Sequence, residues 1–145
     1  MLPKRTKYRK FRKIRVYKKS RKKITASANS YVAFGKFGLK CTGSAVIDAK
    51  QIEAARKVIV RTLSRTGKLW IRIFPHLPVT KKPAEVRMGS GKGGVEFWAA
   101  GVRAGTILFE LDNVTQEKAF EAFNKASYKL PVDCMPVVRK FISIN

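Results

Sequence analysis

Thirteen lysines and arginines, from Lys4 to Lys23, fall within the first 24 residues, with no acid among them. A block of like charge repels itself and cannot be buried, so it stays extended until counter-charge is supplied. Folding is therefore left to the rest of the chain, where 19 basic and 9 acidic residues account for +10 of the formal +23. The stretch 104–145 carries five of each sign and is neutral. The positive field thus lies on the N-terminal arm and the middle of the chain. Residues 1–28 read as a basic arm and 29–145 as a single domain, a size that one hydrophobic core can serve.

Composition narrows the class further. With 45% of 145 residues apolar, disorder throughout is excluded. No run approaches the roughly 18 apolar residues of a membrane span, so no membrane partner is expected. Cys41 and Cys134 are too few for a disulfide framework and too far apart for a zinc site; they read as buried small side chains in a reducing compartment. The arm lacks the apolar centre of a secretory signal and the amphipathic period of a transit peptide, so it reads as part of the working protein. Tyr8, Phe11 and Tyr17 lie among its charges, where rings and guanidinium planes can stack on bases.

The body has the patterns of an α+β fold, a mainly antiparallel sheet with two helices. Tyr31–Lys40 alternates but is interrupted by Gly35 and Gly38, which suggests a bent or bulged strand. Asp48 caps a helix with Gln51 at its third position and Gly67 past its end, and Ile52, Ala55, Ile59 and Leu63 share its apolar face. Lys57, Arg61 and Arg65 form a basic ridge on another face. Lys68–Phe74 alternates as a strand, with Leu69, Ile71 and Ile73 inward and Trp70 and Arg72 opposite. Pro75–Pro83 reads as an extended, turn-rich connection. Val95–Val102 and Thr106–Leu111 read as strands joined by a short turn at Gly105. Thr115–Leu130 reads as a second helix stopped by Pro131, and Pro136–Ile144 as a last strand.

The loop Arg87–Gly94 is the most unusual segment. Gly89, Gly91 and Gly94 spell a dinucleotide fingerprint, but a strand follows where the pyrophosphate-binding helix would have to start. The phosphate-loop pattern fails as well, since Gly93 follows Lys92 and Val86 stands at the first glycine. What remains is bare backbone carrying Arg87 and Lys92, suited to close approach to a phosphate chain. Catalysis is poorly supplied. His76 stands alone between Pro75 and Leu77, and the carboxylates show no paired spacing. No cofactor or resident metal is implied, and Glu85 with Glu96 offers only two isolated acids for a metal-dependent nuclease. The reading is a non-enzymatic RNA-binding protein, with a free-standing RNA chaperone as its rival.

Several segments are similar to one family. Met1-Leu2-Pro3-Lys4-Arg5-Thr6-Lys7-Tyr8-Arg9-Lys10, Phe34-Gly35-Lys36-Phe37-Gly38-Leu39, Gln51-Ile52-Glu53-Ala54-Ala55-Arg56, and the long block Gly67–Pro75 with Lys82–Gly93 resemble the bacterial-type large-subunit ribosomal protein family L-sixteen. Phe109-Glu110-Leu111 and Lys129-Leu130-Pro131 keep the later register. The resemblance implies a hammerhead-like α+β fold and a non-enzymatic constituent of the large ribosomal subunit. It also implies binding to large-subunit rRNA near the peptidyl-transferase and A-site region, late docking in assembly, and contact with A-site tRNA, P-site tRNA being a further candidate. Neighbouring large-subunit proteins would be partners. The location would be the bacterial cytoplasm, or a mitochondrion or plastid with its own bacterial-type ribosome. Carried over residue by residue, Lys4, Arg5, Lys7, Arg9, Lys10, Arg12, Lys13, Arg56 and Arg72 would contact rRNA. Arg87, Met88, Gly89, Gly91, Lys92 and Gly93 would face tRNA and the catalytic centre, and Arg87 would be a hydroxylation site. Ser90 and Gly94 depart from the Lys and Asn of many relatives, and the tail beyond Leu130 carries no assigned site.

Overall fold

Seven strands and two helices follow one another as β1 (Phe37–Cys41), β2 (Ala45–Asp48), α1 (Ala49–Thr62), β3 (Lys68–Ile71), β4 (Leu77–Lys81), β5 (Gly94–Val102), β6 (Ile107–Asp112), α2 (Gln116–Ser127) and β7 (Cys134–Val138) in the computed structural model, which describes residues 1–12 and 25–139. The strands form two sheets, ordered β3-β6-β1-β7 and β2-β5-β4, and every pairing is antiparallel. The class is α+β.

Helix α1 starts where its capping signals stand. The Asp48 carboxylate accepts from the Lys50 N–H at 3.2 Å, and the Gln51 side chain accepts from the Asp48 N–H at 3.0 Å. This reciprocal box satisfies donors that the first turn leaves without intrahelical partners. Ile52, Ala55 and Ile59 are buried, with Leu63 below them at the C-cap. The helix ends at Thr62, and the backbone turns left-handed at Ser64 and Arg65. Gly67 therefore serves the entry into β3 rather than the helix terminus: a Cβ there would lie 2.5 Å from Val114 and 2.8 Å from the Asp112 carbonyl oxygen. Helix α2 buries Ala119, Ala122, Phe123 and Ala126 and packs against α1. It stops at Ser127, short of Leu130, and Lys129 and Leu130 continue as hydrogen-bonded turns.

Strand β6 is the spine. Ile107, Leu108, Phe109, Glu110 and Leu111 are all buried, because the strand is covered on both faces. On one face Phe109 and Leu111 join Phe37, Leu39 and Cys41 under the helices. On the other lies the irregular segment 29–36. Tyr31–Lys36 is not strand, contrary to its alternating pattern, because the N–H groups of Ala33, Phe34 and Gly35 bond to the Glu110 carboxylate instead of a ladder. The two glycines permit this overlay. A Cβ at Gly35 would overlap the Leu111 carbonyl oxygen, and one at Gly38 would come within 2.7 Å of Val32. The bulge does exist, between Leu39 and Lys40 of β1.

Three further expectations need correction. Pro75–Pro83 is not only a connection, since β4 runs through Pro78 and pairs with β5. Strand β4 is an edge strand, the place where a residue without an N–H costs no ladder bond. Strands β5 and β6 do not pair with each other: β1 and β3 flank β6, whereas β2 and β4 flank β5. The turn at Gly105 instead carries the chain from one sheet to the other. Strand β7 begins at Cys134 rather than Pro136, opposite Cys41, and the expected extension to Ile144 runs beyond the described residues.

Candidate nucleic-acid interface

Residues 1–12 lie largely in solvent, with Lys4, Arg5, Lys7, Arg9 and Arg12 exposed and Lys10 half-buried. Lys13, Tyr17 and the rest of the basic block to Lys23 fall outside the described residues. The described part of the arm meets the glycine loop. Lys10 Nζ donates to the Lys92 carbonyl at 2.6 Å, and Lys92 Nζ donates to the Phe11 carbonyl. Two cationic stretches, with contacts spanning 82 and 81 residues of sequence, are thereby brought side by side. Phe11 also borders a cleft of about 620 Å³ lined by Asn29, Arg72, Phe74, His76 and Arg103. His76 is exposed there, its Nδ1 3.1 Å from the Phe74 carbonyl oxygen.

The loop itself projects. Met88 is 98% exposed, and Arg87, Gly89, Ser90, Gly91 and Lys92 are exposed around it. Gly89, Ser90 and Gly91 take positive φ angles of 104°, 53° and 79°. At Gly89 and Gly91 a Cβ would meet nothing within 4 Å, so backbone conformation rather than crowding calls for glycine. Gly93 differs, since its Cβ would sit 2.5 Å from the Lys81 carbonyl oxygen where the loop rejoins the sheet. Lys82 Nζ donates to the Gly89 carbonyl and braces the loop from below. Neither nucleotide fingerprint is completed, because Gly94 opens β5 and no helix follows. Glu96 is 3.5 Å from Lys81. Among the described residues no three His, Cys, Asp or Glu side chains gather into a metal site.

The ridge on α1 is a shallow basic depression lined by Arg56, Lys57, Val60, Arg61, Ser64 and Arg65. Arg56 is already engaged: its Nε and Nη2 grip both oxygens of Glu53 at 3.0 and 2.6 Å. That bidentate contact lowers the Glu53 pKa and raises that of Arg56. Arg72 is engaged more deeply. With its side chain only 12% exposed, it pairs through Nη1 with Glu110, donates from Nη2 to Asn29 Oδ1 at 3.1 Å, and lies 4.9 Å from the Phe34 ring. Its charge is directed into the fold, whereas the arm and loop direct theirs outward.

Glu110 is the residue that sequence reasoning missed. It is wholly buried. Burial pushes its carboxyl upward, but the N–H groups of Gly35, Phe34 and Ala33, together with Arg72, outweigh this and hold the pKa below the usual value. The signal was present in the sequence, since a lone carboxylate in Ile107-Leu108-Phe109-Glu110-Leu111 must find partners if the run is buried. Cys41 is buried, its thiol donating to the Arg103 carbonyl at 2.8 Å. Burial pushes the half-buried Cys134 thiol up to about 12. Neither has the lowered pKa of a reactive thiol.

The chain is 52% identical over 142 residues to "Large ribosomal subunit protein uL16" of Leptospira biflexa, covering 98% of this chain and 99% of that protein. It is 51% identical over 138 residues to the protein of that name from Mycoplasmoides gallisepticum, covering 95% and 96%. Against the same-named protein of Rhodopseudomonas palustris the identity is 50% over 139 residues, covering 96% and 97%. Residues 3–137 match the model of the family described as ribosomal protein L16p/L10e, and the chain belongs to that family.

Proposed function

We propose that this protein is a structural, non-enzymatic constituent of the large ribosomal subunit that binds large-subunit rRNA near the peptidyl-transferase and A-site region. Its setting is a bacterial-type ribosome, in a bacterial cytoplasm or an organelle, with neighbouring subunit proteins and tRNA as further partners. One observation carries the reading: the arm and the glycine loop, both cationic, are held together by Lys10 and Lys92. Bringing like charges together is unfavourable in an isolated protein and becomes favourable when a polyanion lies across them.

In this reading Lys4, Arg5, Lys7, Arg9, Lys10 and Arg12 neutralise rRNA phosphates, with Lys13 continuing the series. Lys57, Arg61 and Arg65 add a second strip of contacts. Arg56 and Arg72 act mainly by ordering the protein surface that rRNA meets. The exposed Arg87, Met88 and Lys92 face tRNA on the glycine scaffold, where Arg87 is accessible to hydroxylation. Phosphate contacts supply most of the affinity and loop shape supplies position.

Sedimentation of a tagged copy through a high-salt sucrose gradient tests this directly. One copy retained per large subunit is expected; recovery at the top of the gradient, or spread over bulk RNA, would favour an RNA chaperone instead. Removing residues 1–24 is expected to weaken rRNA binding and flatten its salt dependence, and an unchanged slope would take the arm out of the interface.

A further inference from the structure

Strand β3 is an edge strand on which Lys68 and Trp70 share a face, and Arg72, just past its end and largely buried, follows them in the row. Phe34 lies across this row. Its ring centroid is 6.1 Å from that of Trp70 at an interplanar angle of 22°, an offset stack, and the Arg72 guanidinium is 4.9 Å from the Phe34 centroid. Lys68 Nζ lies 5.0 Å from the Trp70 ring. The result is a layered patch of two π-systems and two cations. It is not sealed, because 57% of the Phe34 surface remains exposed.

The backbone beneath this patch is tied to a buried carboxylate. Ala33, Phe34 and Gly35 present three successive N–H groups to Glu110, with the Phe34 N–H 2.6 Å and the Gly35 N–H 2.9 Å from Oε2. Successive amides of this kind form an anion-binding concavity, filled here by the protein's own carboxylate. Glu110 in turn pairs with Arg72, whose other nitrogen is fixed by Asn29. A wholly buried carboxylate is expensive to maintain. The arrangement it holds in place is an exposed aromatic ring at a set angle to a tryptophan.

We propose that Phe34 and Trp70, bordered by Lys68 and Arg72, form a stacking site for a single unpaired RNA base. The proposal rests on the rRNA-binding reading and adds a base-directed contact to its phosphate-directed ones. Every nucleobase has a π face, so such a platform is tolerant of sequence and selects for an unstacked, extruded nucleotide. Exposed Lys68 stands beside the ring to take the adjoining phosphate. Arg72, neutralised by Glu110, polarises the stack and leaves the phosphate to Lys68.

The test uses the full chain with two single-stranded RNA probes of equal length and charge, an adenosine oligomer and one with abasic sites. Wild-type protein is expected to bind the adenosine oligomer about ten-fold more tightly, in the range of one base–aromatic stack. Phe34→Leu, which keeps apolar bulk and removes the π face, is expected to abolish that preference without changing the salt slope. Phe34→Tyr is expected to restore it. Equal binding of both probes by wild type, or a preference that survives Phe34→Leu, would overturn the site while leaving phosphate binding intact. Failure of wild type to bind either probe at low salt would defeat the RNA-binding reading and the site with it.

Discussion

Residues 33–35 and residues 89–93 are both short irregular segments with glycine, and both adjoin the cationic surface, yet they are held by opposite means. In the first, backbone N–H groups converge on a buried carboxylate that is neutralised by Arg72. In the second, backbone carbonyls receive lysine ammonium groups, Lys82 on Gly89 and Lys10 on Lys92, in full view of solvent. Buried charge pairs escape salt screening, whereas exposed ones are weakened by it. The first segment is fixed by buried contacts within the fold, whereas the second is held only by lysine contacts open to solvent.

The largest expected effect comes from breaking the first arrangement. Glu110→Ala leaves Arg72 and three amides without their acceptor, and should destabilise the fold by about 3–5 kcal/mol, read as a lower urea midpoint. Acid should act through the same group. The folded pKa of Glu110 lies below its ordinary 4.5, so its contribution is full above that value and is lost as pH falls through the lower folded one. Glu110→Gln should therefore flatten the stability profile below pH 4.5, and an unaltered acid profile would remove Glu110 from its control.

A smaller effect is expected at the glycines. Gly35→Ala forces a methyl against the Leu111 carbonyl and should cost roughly 1–3 kcal/mol. Gly94→Ala, where a Cβ meets open space, should cost almost nothing. Equal costs at the two sites would contradict the packing asymmetry. Hydrogen exchange should separate the segments as well: the Phe34 and Gly35 amides should exchange slowly at any salt concentration, and the amides of 89–93 rapidly. The smallest change in stability is expected at Arg87→Ala, within about 0.5 kcal/mol. Its consequence should appear instead in tRNA accommodation or subunit maturation, and normal polysome profiles with normal translation rates would count against the loop's assigned role.

Local chemistry was legible where one segment settles its own conformation. The Asp48–Gln51 box, the Ile52/Ala55/Ile59 face and the Ala119/Phe123/Ala126 face required only propensity, capping and periodicity. The failure of the glycine fingerprint was legible too, since a strand-like Val95-Glu96-Phe97 cannot supply a helix N-terminus. Tyr31–Lys36 was misread because its alternation is real, while the partner that overrides a ladder, Glu110, is 75 residues away. The Gly105 turn has hairpin length, but hairpin pairing depends on which neighbours claim each strand's polar groups. Of the site residues, the outward charges of the arm and loop were visible as composition. The inward engagement of Arg72 was not, because it depends on Glu110, a carboxylate 38 residues away that lies within reach only after folding, whereas Arg56 pairs with Glu53 one helical turn away on the surface of α1.

The order of residues alone set the charge asymmetry, the two helices, the exposed glycine loop and the family, because each is carried by neighbours along the chain. Folding alone assigned β5 and β6 to separate sheets, laid segment 29–36 over β6, turned Glu110 and Arg72 toward each other, and seated the arm on the loop. Those outcomes depend on contacts between distant segments, where the burial of a single carboxylate makes one arrangement of its partners far more favourable than the rest.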